Sequence, residues 1–264
     1  MTDPERARDP LREHLVRARL AGWVATQPSD TLRKCARVVA GDPDATFGLP
    51  DWRDATFLDV VRAVREVVGG DPGGTDPDGD GYIDADRTMA AIELHRGRLA
   101  EVAAAGGCRV LVATGHPTGL LPHWAAVARA LQATGSVLVS PLDDADLPAE
   151  GGRRRIIRYL DGVACLADGG ALLHTHRSEP MEAILDAAGS SVELVLADHG
   201  WAGAAIARGI PTLSIADVND PALPLAQVVG RTDAVLPIDD NLAPSTFVPV
   251  TERVLAWDYH RDDS

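Results

Sequence analysis

From residue 106 onward, short apolar runs alternate with segments of helical periodicity. Runs such as CRVLVAT, VELVLA and IPTLSIA predict buried strands, because a strand covered on both faces is apolar throughout. Segments such as LLPHWAAVARALQAT, whose apolar positions recur every three or four residues, predict the intervening helices. Further strands are predicted at SVLVS, RIIRYL, GVACLA, ALLHT and AVLPI. This alternation predicts an α/β domain over residues 106–264, with a largely parallel, Rossmann-like sheet and flanking helices.

One pair of these strands is expected to be antiparallel. GVACLA and ALLHT are separated only by Asp168, Gly169 and Gly170, which is too short a connection for a parallel crossover. The pair is therefore predicted to form a β-hairpin inside the otherwise parallel sheet.

The first hundred residues show helical periodicity without a clear strand. LREHLVRARLAGWVA predicts one helix, and SDTLRKCARVVAG predicts a second, capped by Ser29 or Asp30. Apolar residues at helical spacing over 57–68 and 89–102 predict two more helices. We therefore expect a helical cap or subdomain over residues 1–105.

The stretch DPDGDGYIDADR, residues 76 to 87, follows most of the pattern of a calcium-binding helix–loop–helix. Its aspartates stand at loop positions 1, 3, 5 and 9, but position 12, where a bidentate glutamate closes the calcium shell, is Arg87. Two interpretations remain open. The stretch is either a solvated connection in which Asp84 or Asp86 caps the next helix, or a weak calcium or magnesium site.

Composition narrows the classes of partner. The net charge is −14 and the pI is about 4.9, so the surface lacks the excess of basic side chains that holds nucleic acid or an anionic membrane. Lys34 is the only lysine, which excludes a phosphate-binding-loop lysine and leaves arginine, backbone amides or a metal to bind a phosphate. The absence of a long apolar run or a signal-like N-terminus predicts a cytoplasmic protein.

The three cysteines, Cys35, Cys108 and Cys165, are far apart in the sequence and show no CxxC spacing. An odd number of separated cysteines in a chain without a secretion signal is typical of buried, reduced thiols. We expect no thiol chemistry from them.

Reactive side chains follow the ends of five predicted strands. Because ligands bind outside the carboxyl ends of strands in an open α/β sheet, these residues are expected to converge on one rim. They are His116, His174, His176, Asp198, His199, Asp217, Asn219, Asp220, Asp239, Asp240 and Asn241.

Each of these segments also has a purely structural interpretation. TGHPTG is either an anion-binding turn, with Thr114, Gly115, His116 and Gly119 holding a phosphate, or a tight turn that caps a helix. Similarly, ADHGWAG fits a plain helix cap, DVNDP fits an Asx turn, and PIDDN fits a turn best of all. His174 and His176 are two residues apart on a strand and would face the same side.

The oxygen-rich part of this rim predicts a divalent metal site. Carboxylate and amide oxygens suit Mg²⁺ or Mn²⁺ better than zinc, which prefers nitrogen and sulfur. The predicted ligands are Asp198, Asp217, Asn219 and Asp220, with Asp198 and Asp217 sharing one ion. The predicted catalytic groups are Asp198, with His199 or His176 as the acid or base, and His116 and His174 are expected to bind the phosphate.

Several blocks of the sequence also carry a family resemblance. VLVATGHPTGLL, ADGGALLHTHRSEPMEAIL, LVLADHGWAGAA and ADVNDPAL resemble the blocks of an actinobacterial family of proteins labelled simply as phosphatases. The turn after VELVLA also resembles that of metal-dependent damage-control phosphatases, which have an Asp-Asn pair where this chain has Asp198-His199. The resemblance implies phosphate-ester hydrolysis.

The predicted function is a metal-dependent phosphomonoesterase acting on a small phosphorylated metabolite, such as a sugar phosphate or a nucleotide. Two alternatives remain at this point: a sugar isomerase or nucleoside hydrolase with the same acid-rich rim, and a noncatalytic protein that binds a phosphorylated ligand. No nucleic acid polymer or membrane is expected as a partner, and a homodimer remains open.

Overall fold

A computed structural model describes residues 9–257 and shows an α/β fold, as predicted. The helices are α1 (Pro10–Arg17), α2 (Pro28–Val39), α3 (Pro43–Thr46), α4 (Phe57–Val67), α5 (Ala85–Ala105), α6 (Pro117–Ala133), α7 (Glu179–Ala188), α8 (His199–Ala207), α9 (Ala222–Val228) and α10 (Val248–Val254). The strands are β1 (Gly22–Val24), β2 (Gly81–Ile83), β3 (Arg109–Ala113), β4 (Val137–Leu138), β5 (Asp146–Glu150), β6 (Arg153–Leu160), β7 (Val163–Ala167), β8 (Leu172–Leu173), β9 (Leu194–Asp198), β10 (Thr212–Ala216) and β11 (Val235–Pro237). Short 3-10 helices lie at Asp51–Arg53, Gly189–Ser191 and Pro244–Phe247.

The main sheet has the strand order β11-β10-β9-β3-β7-β6-β5. Strands β11, β10, β9, β3 and β7 are parallel, and β4 pairs in parallel with the start of β3. Their residues are buried almost throughout, because helices cover both faces of the sheet. The parallel arrangement points the carboxyl ends of these strands toward one rim.

The predicted hairpin is present. Strand β8 pairs antiparallel with β7, with Leu173 opposite Leu166, across the turn at Asp168–Gly170. The antiparallel part of the sheet is larger than predicted, because β6 also pairs antiparallel with β7, and β5 with β6. The β6–β7 turn is tight, since Asp161 and Gly162 both have positive φ, at 49° and 82°.

The N-terminal region contains a two-stranded sheet, so the expectation of helices alone was wrong. Helix α1 ends at Arg17, and the last residues of the predicted first helix instead include β1, which pairs antiparallel with β2. Gly22 opens β1 with a φ of 74°, a conformation that glycine adopts without strain. The apolar spacing of this stretch suits a helix, and only the distant partner strand reveals its true conformation.

The predicted cap of the second helix was also wrong. Helix α2 begins at Pro28 with Gln27 in the cap position, and no side chain among the described residues caps it. Ser29 and Asp30 lie inside its first turn. Proline is well suited to that place, because its missing N–H is one that would have no partner there.

The acidic loop of residues 76–87 uses its carboxylates within the protein. Asp84 caps α5 by accepting hydrogen bonds from the backbone N–H groups of Asp86 (2.8 Å) and Arg87 (3.3 Å). Asp76 accepts from the N–H of Asp78 at 3.1 Å, and Asp80 forms an ion pair with Arg19 at 2.8 Å. The capping interpretation is therefore confirmed for Asp84.

The N-terminal helices pack directly onto the sheet domain. Helix α4 contacts α9, and α5 contacts both α10 and β11. A single cluster of buried apolar residues contains side chains from both regions, including Val64 and Ile92 as well as Leu111 and Leu196. Residues 9–105 therefore form part of one continuous core.

The three cysteines are free, with Cys35 and Cys165 buried and Cys108 half-buried. Burial raises the pKa of the Cys35 and Cys165 thiols to about 12, so both stay protonated at neutral pH. Within residues 9–257, no helix combines the length and apolar character that crossing a bilayer requires.

Candidate active site

The rim at the carboxyl ends of the parallel strands brings the predicted reactive residues together. The turn after β3 carries His116, β9 ends at Asp198, and α8 begins at His199. The loops after β10 and β11 supply a set of buried acids, Asp217, Asp220, Asp239 and Asp240. Strand β8 runs back along the end of β7, and the chain after it supplies His174 and His176.

Four histidines form the centre of the site. The rings of His116 and His174 are stacked with centroids 4.4 Å apart, and those of His176 and His199 are stacked at 4.7 Å. The two pairs meet edge to face, with His174 5.2 Å from His199. Ligating atoms of His116, His174 and His199 lie within 4.8 Å of one another, as do those of His176, His199 and Asp220.

Asp198 is fully buried, and protein donors contact both of its oxygens. Its Oδ1 accepts hydrogen bonds from the backbone N–H groups of Gly115 (2.7 Å) and His116 (3.1 Å) and contacts Nδ1 of His199 at 2.8 Å. Its Oδ2 accepts from Nε1 of Trp124 at 3.0 Å. Burial opposes the charge, but these donors lower the pKa of Asp198, so it is a carboxylate. The geometry favours an orienting role over the predicted metal ligation.

His199 is held by Asp198 in one defined orientation. It opens α8 with a φ of 48°, a left-handed conformation that is strained for a residue with a side chain. With Nδ1 at Asp198, its Nε2 faces Asp220 Oδ2 at 3.5 Å and Asp240 Oδ2 at 3.6 Å. Burial lowers the pKa of His199, but the surrounding carboxylates outweigh it and raise that pKa to about 10. The ring therefore binds a proton, or another cation, between the two acids.

The amides of the turn TGHPTG, which one interpretation predicted to receive a phosphate, donate instead to the protein's own Asp198. The N–H groups of Gly115 and His116 point at its carboxylate, and Thr114 Oγ1 also accepts from the N–H of His116 at 3.0 Å. The N–H of Gly119 donates to the carbonyl of His116 at 3.2 Å. These amides already have acceptors, which argues against the phosphate-binding role predicted for Thr114, Gly115 and Gly119.

Glycines in these motifs allow the loops of the site to pack closely. A Cβ atom on Gly115 would lie 2.4 Å from the carbonyl oxygen of Thr175, and one on Gly119 would lie 2.5 Å from that of Asp240. On Gly200 it would lie 2.2 Å from the carbonyl oxygen of His176. Because these distances are far shorter than any van der Waals contact, the glycines fix how the histidine and aspartate loops meet.

Asp217 lies at the same rim as Asp198 but is also occupied by protein donors. Ile215, two residues before Asp217 on β10, is paired with Asp198 on the adjacent parallel strand. The Oδ2 atom of Asp217 accepts from Thr26 Oγ1 at 3.0 Å, and its Oδ1 accepts from the N–H of Val218 at 2.6 Å. The predicted sharing of one ion by Asp198 and Asp217 therefore has little support in the geometry.

The rim holds more buried negative charge than its protein partners neutralise. Burial and the neighbouring acids Asp240, Asp239 and Asp220 raise the pKa of Asp217 well above its usual range. Burial likewise raises the pKa of Asp239 to about 6. Among the predicted ligands in this loop, Asn219 is half-buried and Asp220 is fully buried. Such a cluster of acids favours the binding of a cation.

Three buried atoms at the centre have no hydrogen-bond partner among the described residues: His116 Nδ1, Asp220 Oδ1 and Asp240 Oδ2. The ligand-type atoms around His199 and His116 lie 3.3 to 3.6 Å apart, beyond ordinary hydrogen-bond distance. Two ligands of one ion with bonds of about 2.1 Å are separated by roughly 3.0 to 3.6 Å at angles of 90° to 120°. The arrangement could therefore hold a metal. Asp240 is an important member to which the sequence pattern assigned no role, because PIDDN fits an ordinary turn.

A cleft of about 510 Å³ opens beside the histidines. Lys34 Nζ lies 2.9 Å from His176 Nδ1, and Arg37 and Arg177 line the same cleft. Burial lowers the pKa of Lys34. No motif in the sequence connected these cations with the site, although the isolation of Lys34 as the only lysine is a feature that could have drawn attention to it.

Comparison with known proteins identifies the family of the chain. Residues 6–259 match the model of a family described as Phosphatase. The chain belongs to this phosphatase family. It is 40% identical over 261 residues to Phosphatase SCO2771 of Streptomyces coelicolor, a match that covers 96% of this chain and 95% of that protein. The resemblance predicted from the sequence blocks is thus confirmed, and membership in the phosphatase family supports hydrolysis of phosphate esters.

Proposed function

We propose that this protein is a metal-dependent phosphomonoesterase that acts on a small phosphorylated metabolite, such as a sugar phosphate or a nucleotide. The observation that carries the proposal is that two buried carboxylates, Asp220 and Asp240, face Nε2 of His199 and that each has one oxygen without a hydrogen-bond partner among the described residues. Such atoms are costly to bury without a partner, and a cation bound between them would supply one. Family membership supplies the reaction type.

The first ion would be held by His176, His199 and Asp220, whose ligating atoms lie within 4.8 Å of one another. Asp198 would not bind the ion itself but would fix the ring of His199 through Nδ1, as carboxylates commonly do for ligating histidines. Two imidazoles in the ligand set favour Mn²⁺ over Mg²⁺, the two ions expected from the sequence. A divalent ion there would supply positive charge to the phosphate and favour deprotonation of a nearby water.

The cleft cations would bind the phosphate, Lys34 among them, whereas the sequence pattern predicted this role for arginine, backbone amides or a metal. Lys34, Arg37 and Arg177 line the wall beside His174 and His176, in a chain whose net charge is −14. Both arginines are partly neutralised, Arg37 by Asp42 and Arg177 by Glu179. Among residues 9–257 no acid forms an ion pair with Lys34, which is therefore the cation best placed to donate a hydrogen bond to a substrate oxygen.

The proposal is tested by measuring phosphate release from a panel of phosphorylated metabolites with Mn²⁺, with Mg²⁺ and with excess chelator. We expect release with metal and none with chelator. Asp220→Asn should lower kcat/KM by about 100-fold or more, because a metal ligand matters at least as much as its orienting partners. Asp233→Asn, which changes an exposed acid paired with Arg98, is the matched control and should retain full activity.

Full activity in chelator, with no metal found by elemental analysis, would refute metal dependence. Conversion of substrate without phosphate release would instead support an isomerase or a nucleoside hydrolase. Tight binding of a phosphorylated ligand without turnover, whichever ion is added, would support a binding protein.

A further inference from the structure

The site contains more ligands than one catalytic ion can use. Six side chains supply ligand-type atoms to the centre: His116, His174, His176, His199, Asp220 and Asp240. An ion that binds water or substrate must keep at least one position open. A single ion bound by all six side chains would have no such position.

Asp240 divides this ligand set into two parts. Its Oδ1 lies 3.3 Å from Nδ1 of His116, and its Oδ2 lies 3.6 Å from Nε2 of His199. Neither His116 Nδ1 nor Asp240 Oδ2 has a hydrogen-bond partner within residues 9–257, although both residues are at least 95% buried. The two oxygens of one carboxylate therefore face two different histidines at the spacing of shared metal ligands.

The stacking of the histidines gives the same division. His116 is stacked on His174 with planes only 7° apart, and His176 is stacked on His199 with planes 13° apart. Ligating nitrogens of each stacked pair lie within 4.8 Å of one another, so each pair can supply two ligands to one position. His199 also lies within 4.8 Å of the ligating atoms of His116 and His174, as expected for two positions that are close together.

We propose that the site binds two divalent ions bridged by the carboxylate of Asp240. The first ion is the one already assigned to His176, His199 and Asp220, and the second is bound by His116, His174 and Oδ1 of Asp240. This inference rests on the proposed function, because it extends the same metal site. Paired ions bound to a shared carboxylate are suited to phosphate esters, since together they contact both the attacking and the leaving oxygens.

The test loads the full chain with MnCl₂, removes free metal by dialysis and measures both the bound manganese and its electron paramagnetic resonance spectrum. We expect two ions per chain and the spectrum of an exchange-coupled pair. Asp240→Asn should reduce the content to one ion per chain and give the six-line spectrum of an isolated Mn²⁺. Asp233→Asn should leave two coupled ions.

Because Asp240 is buried and its substitution could disturb folding, His174→Ala provides a second variant. His174 is exposed, so its loss should leave the fold intact while weakening the second position. It should also reduce the manganese content to one. One manganese per saturated wild-type chain, or two coupled ions in both variants, would refute the bridge. If that single ion still supported metal-dependent phosphate release, the proposed function would stand and only the second ion would fail.

Discussion

Asp198→Asn should destabilise the fold as well as lower activity. Asp198 is fully buried, and its two oxygens accept from the N–H groups of Gly115 and His116, from His199 and from the indole of Trp124. Three of these donors contact Oδ1, so the side-chain oxygen of the asparagine would take the position of Oδ1. Its NH₂ group would then face the indole N–H, and two donors would oppose each other.

The size of the effect can be worked from these contacts. A buried N–H left without an acceptor costs about 1–3 kcal/mol. Loss of the charge weakens each of the other three bonds by roughly 1 kcal/mol, since charge-assisted hydrogen bonds are about twice as strong as neutral ones. Because bonds in one network do not add fully, we expect a total of about 4 kcal/mol. That is a large part of the ~5–15 kcal/mol by which a typical domain is stable.

Urea unfolding with chelator present measures this cost without a contribution from bound metal. Trp124→Phe removes the opposing donor, so a double-mutant cycle isolates the clash: in the background of Asp198→Asn, the Phe substitution should cost at least about 1 kcal/mol less than in wild type. The midpoint should fall while the slope with urea stays constant. The reasoning is wrong if Asp198→Asn lies within about 1 kcal/mol of wild type, or if the two substitutions are additive.

Three further outcomes are expected. Lys34→Met should lower kcat/KM by about 10- to 100-fold, mainly through KM, because a charged hydrogen bond to the phosphate contributes about 1.5–3 kcal/mol; an unchanged KM would remove Lys34 from the site. Burial lowers the pKa of His95 to about 4, below the ~6.5 of the unfolded chain. As pH drops from 6.5 to 4, the free energy of unfolding should therefore fall by about 3 kcal/mol more in wild type than in His95→Gln. Thermal melts at several pH values would measure this difference, and equal losses in the two proteins would contradict it. Finally, Asp78→Ala combined with Asp80→Ala should change turnover per folded molecule by less than tenfold, about 1.4 kcal/mol, and a larger loss would place the acidic loop in the active site.

Local patterns predicted the elements whose partners are close in sequence or whose apolar runs are unambiguous. The strands that form the parallel part of the sheet, the β7–β8 hairpin and the helices on either side of the acidic loop all follow this rule. The β1–β2 pair did not, because Gly22 pairs with Ile83 across a long stretch of chain. A three-residue strand has little periodicity of its own, and its partner decides its conformation.

Prediction of the site from the sequence has a similar limit. The rule for strand ends correctly placed His116, Asp198 and Asp220 at one rim, but it could not tell a metal ligand from a carboxylate that orients one. That distinction depends on which donors contact Asp198, and two of them belong to the turn that follows a different strand, β3. Lys34 shows the same limit more strongly, since it reaches the rim from a helix in the N-terminal region.

Because of its position, the Lys34 side chain can report whether a ligand is bound in the cleft. No other residue in the chain has an amino side chain, and this one lies on the wall of the cleft, 2.9 Å from His176. Reagents that acylate amines, or isotopic methyl groups attached by reductive alkylation, would mark a single side chain at the place where substrate is expected. The rate of that labelling, or the chemical shift of that one methylated side chain, would then follow ligand binding in the purified protein, without an engineered probe and without turnover.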